Sequence, residues 1–134
     1  MTKAMRRGMM VGAAIAAATV PAQALAANGY VNTSEAYLAL TPESRAAYVQ
    51  GLNDAINYIF VDDTLVAALA KRGRIECLVN METNSSLLAD RITMAYRDPK
   101  FMPLAPTAVY IIKMGEICRT YINAERVKFG LGPQ

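Results

Sequence analysis

The sequence predicts an all-α protein: a single compact domain of four to five helices with one disulfide. Three observations predict it. Apolar residues recur at three- and four-residue spacing along most of the chain. Helix start and stop signals, such as Thr41-Pro42-Glu43 and Asp98-Pro99, fall where those periodic stretches begin and end. The one strand-like run, Ile75-Glu76-Cys77-Leu78-Val79, has no second strand pattern to pair with. A length of 134 residues is that of one domain, and no internal repeat or low-complexity tract divides it.

Residues 1–26 read as a secretory signal peptide. Lys3, Arg6 and Arg7 form a positive n-region, and 8–20 is an Ala-rich apolar run about as long as an h-region. Pro21 ends the run, and Ala24-Leu25-Ala26 places small residues at the two positions a signal peptidase requires. Cleavage is expected after Ala26, with Ala24 and Ala27 as alternatives. The run falls short of the roughly 20 residues that span a bilayer. No membrane anchor is therefore expected once the leader is gone, and residues 27–134 form the domain. Those three basic residues account for the whole excess of 14 Lys and Arg over 11 Asp and Glu. The domain is then neutral and lacks the clustered positive charge that a nucleic-acid binder needs.

Within the domain, 34–40 is a brief helix capped by Ser34 or Thr33. Thr41-Pro42-Glu43 starts the next, with Thr at the N-cap and Pro in the first turn. Ala47, Tyr48, Leu52, Ala55, Ile56 and Ile59 are its expected apolar face. Asp62-Asp63-Thr64 interrupts the pattern and can cap a helix over 65–71. Lys71 and Arg72 suit the last turn of that helix, and Gly73 suits its stop. A connector over 74–84 carries Cys77.

Asn84 or Ser85 caps the following helix, whose stripe is Leu88, Ile92, Ala95 and Tyr96. Asp98-Pro99 ends it, because Pro disfavours helix in the residue before it. After a Pro-bearing turn over 100–105, Pro106 opens the longest helix, to about residue 128. Tyr110, Met114, Ile117 and Tyr121 lie on one of its stripes; Ile111, Gly115, Cys118 and Ile122 lie beside it.

Cys77 and Cys118 are the only cysteines, and an even count in an exported chain favours a disulfide. The alternative is a pair of free buried thiols. Two cysteines without histidine cannot complete a zinc shell unless carboxylates are borrowed, so no metal and no cofactor is expected. The absence of histidine also removes the usual general base and every Ser-His or Cys-His nucleophile. The glycines are isolated and form no phosphate loop. Asp62 and Asp63 are adjacent and Glu82 sits in a connector, but nothing sets two acids across a cleft as glycoside hydrolysis requires. No enzyme is expected. Tyr30 and Tyr37 are the expected exposed tyrosines. Met81 and Met102, in connectors, either line a partner surface or tuck under their loops.

One family fits these features. Ala47-Tyr48-Val49-Gln50-Gly51-Leu52 resembles the tyrosine–x–x–glycine helix of the Rap/Tai-type immunity proteins of type VI secretion. Cys77 follows at the place the family pattern expects, just after the first helical pair. Ser85-Ser86-Leu87-Leu88 through Asp98-Pro99 resembles its central helix, and Leu104-Ala105-Pro106 through Cys118 its last. The similarity spans roughly 34–118. Two departures stand out: no cysteine occurs early in the domain, where Tyr37 and Leu38 stand, and 119–134 extends past the usual end.

The resemblance implies a periplasmic protein that binds a peptidoglycan-attacking or related toxin and occludes it, often as a homodimer. The expected contact residues are Asp62 and Asp63 in one turn, and Met81, Glu82 and Asn84 in the connector pinned by Cys77. Polar irregular segments on a stapled scaffold are where binding residues concentrate. The alternative is an HdeA-like periplasmic acid-stress chaperone, which is also small, helical and single-bridged.

Overall fold

A computed structural model describes residues 30–134, and the leader assigned to 1–26 lies outside the described residues. The fold is all-α with no strand among the described residues. In chain order the helices are α1 (Ser34–Leu38), α2 (Pro42–Asn57), α3 (Leu65–Asn80), α4 (Ser85–Ala95), α5 (Pro106–Ile117) and α6 (Arg119–Lys128). A single 3-10 turn, Pro99–Phe101, lies between α4 and α5.

The starts follow local chemistry. Thr33, Thr41, Thr64 and Asn84 each accept a hydrogen bond from a backbone N–H of the first turn, at Ala36, Ser44, Ala67 and Leu87. Pro42 and Pro106 open α2 and α5, where a missing N–H costs nothing. Asp98 caps the 3-10 turn through the N–H of Lys100.

Two boundaries differ from the sequence expectation. The helix predicted to stop at Gly73 continues to Asn80, so Cys77 lies on a helix and not in a connector. Gly73 is there for another reason: a Cβ on it would sit 2.6 Å from the Cα of Ile122. The glycine lets α3 and α6 approach backbone to backbone. The predicted last helix divides at Cys118, which ends α5 and precedes α6 with non-helical angles (φ −94°, ψ 10°). That division takes the number of helices among the described residues to six.

The larger core lies among α1, α2, α4 and α5. Tyr37, Val49, Ile92, Val109, Tyr110 and Met114 are its best-buried members. The predicted stripe of α4 is all there: Leu88, Ile92, Ala95 and Tyr96 are buried. The face of α2 is rotated from the expected one. Val49, Leu52 and Ile56 turn inward, while Ala47 and Ala55 are exposed and Ile59 lies beyond the helix. On the last two helices Tyr110, Met114, Cys118 and Ile122 are buried, but Ile111 is exposed.

Tyr37, expected at the surface, is fully buried. It packs against Tyr48 and Tyr96, and its hydroxyl donates to the carbonyl of Ala89 at 2.9 Å. Burial pushes its pKa up, and burial likewise raises that of Tyr96, to about 12. Tyr30 is exposed as expected, whereas Tyr58, at the end of a helix, is exposed without having been expected there.

A buried polar chain joins three helices. The Tyr110 hydroxyl donates to Asn53 Oδ1 at 2.6 Å and accepts from Asn57 Nδ2 at 3.0 Å. Arg74 Nε donates to Asn57 Oδ1 at 2.8 Å. Each buried donor thus finds an acceptor, which is the condition for keeping polar groups inside.

The second, smaller core is the α3–α6 pair. Cys77, Cys118 and Ile122 are its buried members, and a Cys77–Cys118 disulfide closes it with Cα atoms 5.5 Å apart. The helices run antiparallel, since Cys77 meets Cys118 while Arg72, nearer the start of α3, meets Glu125 further along α6. Glu125 is fully buried. Arg72 Nε contacts its Oε2 at 3.0 Å, and Lys128 Nζ contacts its Oε1. The Lys128 hydrogen bond, with the charges of Lys128 and Arg72, holds the Glu125 carboxyl below the usual carboxylate range.

Candidate functional site

The five residues expected to contact a partner fall at the two ends of α3. Asp62 and Asp63 precede it; Met81, Glu82 and Asn84 follow it. Sixteen helical residues separate the groups, or roughly 24 Å at 1.5 Å per residue. They are two surfaces and not one site.

The α2–α3 loop is a braced turn. The Asp63 N–H donates to the Phe60 carbonyl at 3.2 Å, which closes a β-turn with Val61 and Asp62 at its tip. Asp63 Oδ2 accepts from the Phe60 N–H at 2.8 Å. Lys71 Nζ, reaching back from α3, contacts the Asp63 carboxylate at 2.7 and 2.9 Å and the Tyr58 carbonyl at 2.8 Å. It also lies 4.8 Å from the centre of the Phe60 ring. The Tyr58 and Phe60 rings meet edge to face at 4.8 Å. The hydrogen bonds from Lys71 and from the Phe60 N–H hold the Asp63 carboxyl below its ordinary range.

The two aspartates therefore do different work. Asp63 is an internal strut, committed to Lys71 and to its own turn. Asp62 is exposed at the tip, with no hydrogen-bond or ion-pair partner among the described residues. What the sequence reading missed is the apolar surface around it. Tyr58, Ile59, Phe60 and Val61 are exposed, Val61 entirely so at 108 %, and Leu65 and Val66 on the first turn of α3 extend the patch. A run of four large apolar residues directly before Asp-Asp was the available signal. Large apolar side chains held out by a braced turn are costly to expose to water.

The α3–α4 turn is built differently. Met81 caps α3, and Glu82 follows with φ +50°, a left-handed conformation that favours glycine. The Glu82 N–H donates to Val79 and the Thr83 N–H to Leu78, the paired bonds of a Schellman ending. Asn84 is occupied, its Oδ1 accepting from the Leu87 N–H at 3.0 Å, so its side chain is a cap and not a free contact. Glu82 is exposed. Met81 is half exposed and half committed to an apolar groove of about 180 Å³, whose other walls include Leu78, Leu87, Arg91, Met114 and Ile117. Met102, the other connector methionine, is half-buried against the large core.

Among the described residues no cluster of three or more Cys, Asp or Glu could hold a metal ion. A scan against protein-family models finds no match for this chain, and searches of curated proteins and of solved structures find none.

Proposed function

We propose that this protein is an immunity-type binding protein that occludes a toxin or effector, acting outside the cytosol and carrying out no chemistry itself. The observation that carries the reading is the α2–α3 turn. Four consecutive apolar side chains stand exposed on a loop already braced by Lys71 and Asp63. A loop ordered before binding loses little entropy on binding, and aromatic anchors dominate protein interfaces. In this mechanism the turn enters the cleft of a peptidoglycan-attacking or similar enzyme and excludes its substrate. The disulfide is compatible with the oxidising compartment that the reading requires.

The test uses a secreted hydrolase encoded beside this protein's own reading frame. Mixing the two purified proteins should give a one-to-one complex that no longer cleaves purified peptidoglycan. Val61→Glu should weaken that complex at least tenfold. Failure of the wild-type protein to bind or inhibit the hydrolase would overturn the reading.

A second reading, an HdeA-like acid chaperone, is favoured by one observation. Glu125 joins α3 to α6 through a carboxylate, and protonation would release Arg72 and Lys128 together. Binding of a hydrophobic dye at pH 2–3, about a unit below free carboxylate values, with suppressed aggregation of a client protein, would favour it. Retained structure and no dye binding at that pH would exclude it.

A further inference from the structure

We infer that Met81 is an oxidation site that guards the disulfide: its thioether covers Cys77, and conversion to the sulfoxide opens the bridge to attack by thiols. The Met81 sulfur lies 3.6 Å from Cys77 Sγ, one helical turn further along at the end of α3. Neither cysteine has any solvent exposure, whereas Met81 is 48 % exposed. Met81 therefore stands with one side on the bridge and another in water. Ala70, Ile117 and Tyr121 also pack on this small core, but they are half-buried and offer no sulfur.

The four methionines of the described residues differ in access. Met114 is buried and Met102 half-buried, while Met81 and Met94 are open to solvent. Met94 belongs to α4 and lines a separate hollow with Lys100 and Lys113, which makes it an internal control. Hydrogen peroxide is the oxidant that the step needs. One peroxide oxygen bonds to the Met81 sulfur, the O–O bond breaks, and the other oxygen leaves as water; the thioether is oxidised and the peroxide reduced.

The product is polar where the thioether was apolar. The disulfide offers the new oxygen no donor, and neither do Leu78, Leu87 and Ile117 in the groove that Met81 walls. Its donors are water and the groove's Thr83 and Arg91. A polar group left without a partner is costly, so the oxidised side chain turns to those donors and loosens its hold on Cys77. No helix bond opposes the movement, because the Met81 N–H keeps its bond to the Cys77 carbonyl and α3 has already ended. A thiolate can then bond to Cys77 Sγ. The S–S bond breaks, and Cys118 leaves as a thiolate that takes up a proton; access to the sulfur governs the rate. This inference does not rest on the toxin reading, since it needs no partner protein.

The test is the rate at which dithiothreitol reduces the bridge in the folded protein, before and after treatment with hydrogen peroxide and its removal. Thiol labelling and mass spectrometry follow both reactions. Peroxide should oxidise Met81 and Met94 and spare Met114. The oxidised wild type should then lose the bridge about tenfold faster. Met94→Leu should keep that response. Met81→Leu retains the bulk without the sulfur, so peroxide should leave its rate unchanged. Met81→Ala removes the cover and should be reduced fast with no peroxide, circular dichroism confirming that the variants fold. An unoxidised Met81, an unchanged rate in the oxidised wild type, a peroxide response that survives Met81→Leu, or a Met81→Ala as slow as the wild type would overturn the inference. So would an acceleration matched by an equal rise in amide exchange at Ile92 and Val109, because the whole fold would then be opening.

Discussion

The two cores of this protein are held in different ways. Among α1, α2, α4 and α5, stability comes from many buried apolar side chains packed around Ile92, Val109 and Met114. Burial is non-directional and spread over many contacts, so a small change of volume is partly absorbed. The α3–α6 pair has a small apolar core and relies on three specific features instead. These are a backbone approach at Gly73, a disulfide, and a buried carboxylate held by two cations. Each depends on a few atoms at fixed positions. The comparison shows how a small domain can attach a helix pair whose apolar area alone would hold it poorly. It also places both candidate surfaces at the ends of the best-tethered helix.

The comparison can be broken most severely at the disulfide. The bridge joins residues 41 apart, and the chain-entropy argument assigns a loop of that length about 4 kcal/mol. Cys77→Ser with Cys118→Ser should lower unfolding stability by that order in urea titration. Amide exchange should rise first in α3 and α6, with Ile92 and Val109 still protected. Uniform loss of protection would mean that the two cores unfold as one.

The next test matches one carbon against one carbon. Gly73→Ala adds a methyl group 2.6 Å from the Cα of Ile122, and the helices must separate to admit it. A loss of about 3 kcal/mol is expected. Ile92→Val removes a methyl group from the large core, and about 1 kcal/mol is expected. Equal losses in thermal denaturation would erase the distinction between a tight approach and a yielding core.

The α3–α4 turn offers a smaller effect of opposite sign. Glu82 holds φ +50° and Gly130 φ +73° in the same kind of helix ending. Only the glycine is free of the cost of that conformation. Glu82→Gly should stabilise by about 0.5–1 kcal/mol, read as a rise in melting temperature. Gly130→Glu should destabilise.

The least effect at neutral pH, and the most selective, concerns acid. The Glu125 carboxyl is held below its usual range by Lys128 and Arg72, with Glu76 also facing it. A carboxyl whose folded pKa is depressed adds stability above its unfolded pKa and loses it as pH falls through the folded value. Stability should therefore fall below about pH 4, and Glu125→Gln should fall less steeply there. The Asp63 carboxyl is lowered by Lys71 and adds a drop of the same sign at the α2–α3 turn. Parallel acid profiles for wild type and Glu125→Gln would show that the clamp contributes nothing.

How far the fold and the candidate surfaces could be read in advance follows from how local each cause is. Caps and prolines act within a few residues, so Thr41, Asn84, Pro42 and Pro106 announced their helices. The α4 stripe was legible because one strongly periodic face packs against one neighbouring layer. Gly73 was misread because a glycine suits a helix stop and a close crossing equally well, and only the partner helix distinguishes them. The α2 face was read a little off register, since alanines fit either side of a helix. Of the candidate contacts, Asp62 and Met81 are exposed. Asp63 and Asn84 carry the same polar chemistry but are used up inside their own turns.

The amino-acid sequence by itself determined the all-α class, most helix starts and the pair of cysteines available to join, because these depend on propensity, capping and composition. The tertiary structure alone decided that α3 runs on through Gly73 and that Tyr37 is interior. It also decided that the two groups of candidate residues stand at opposite ends of one helix. The physical reason is that burial, close approach and the pairing of distant charges are properties of surfaces that meet only after the chain has folded.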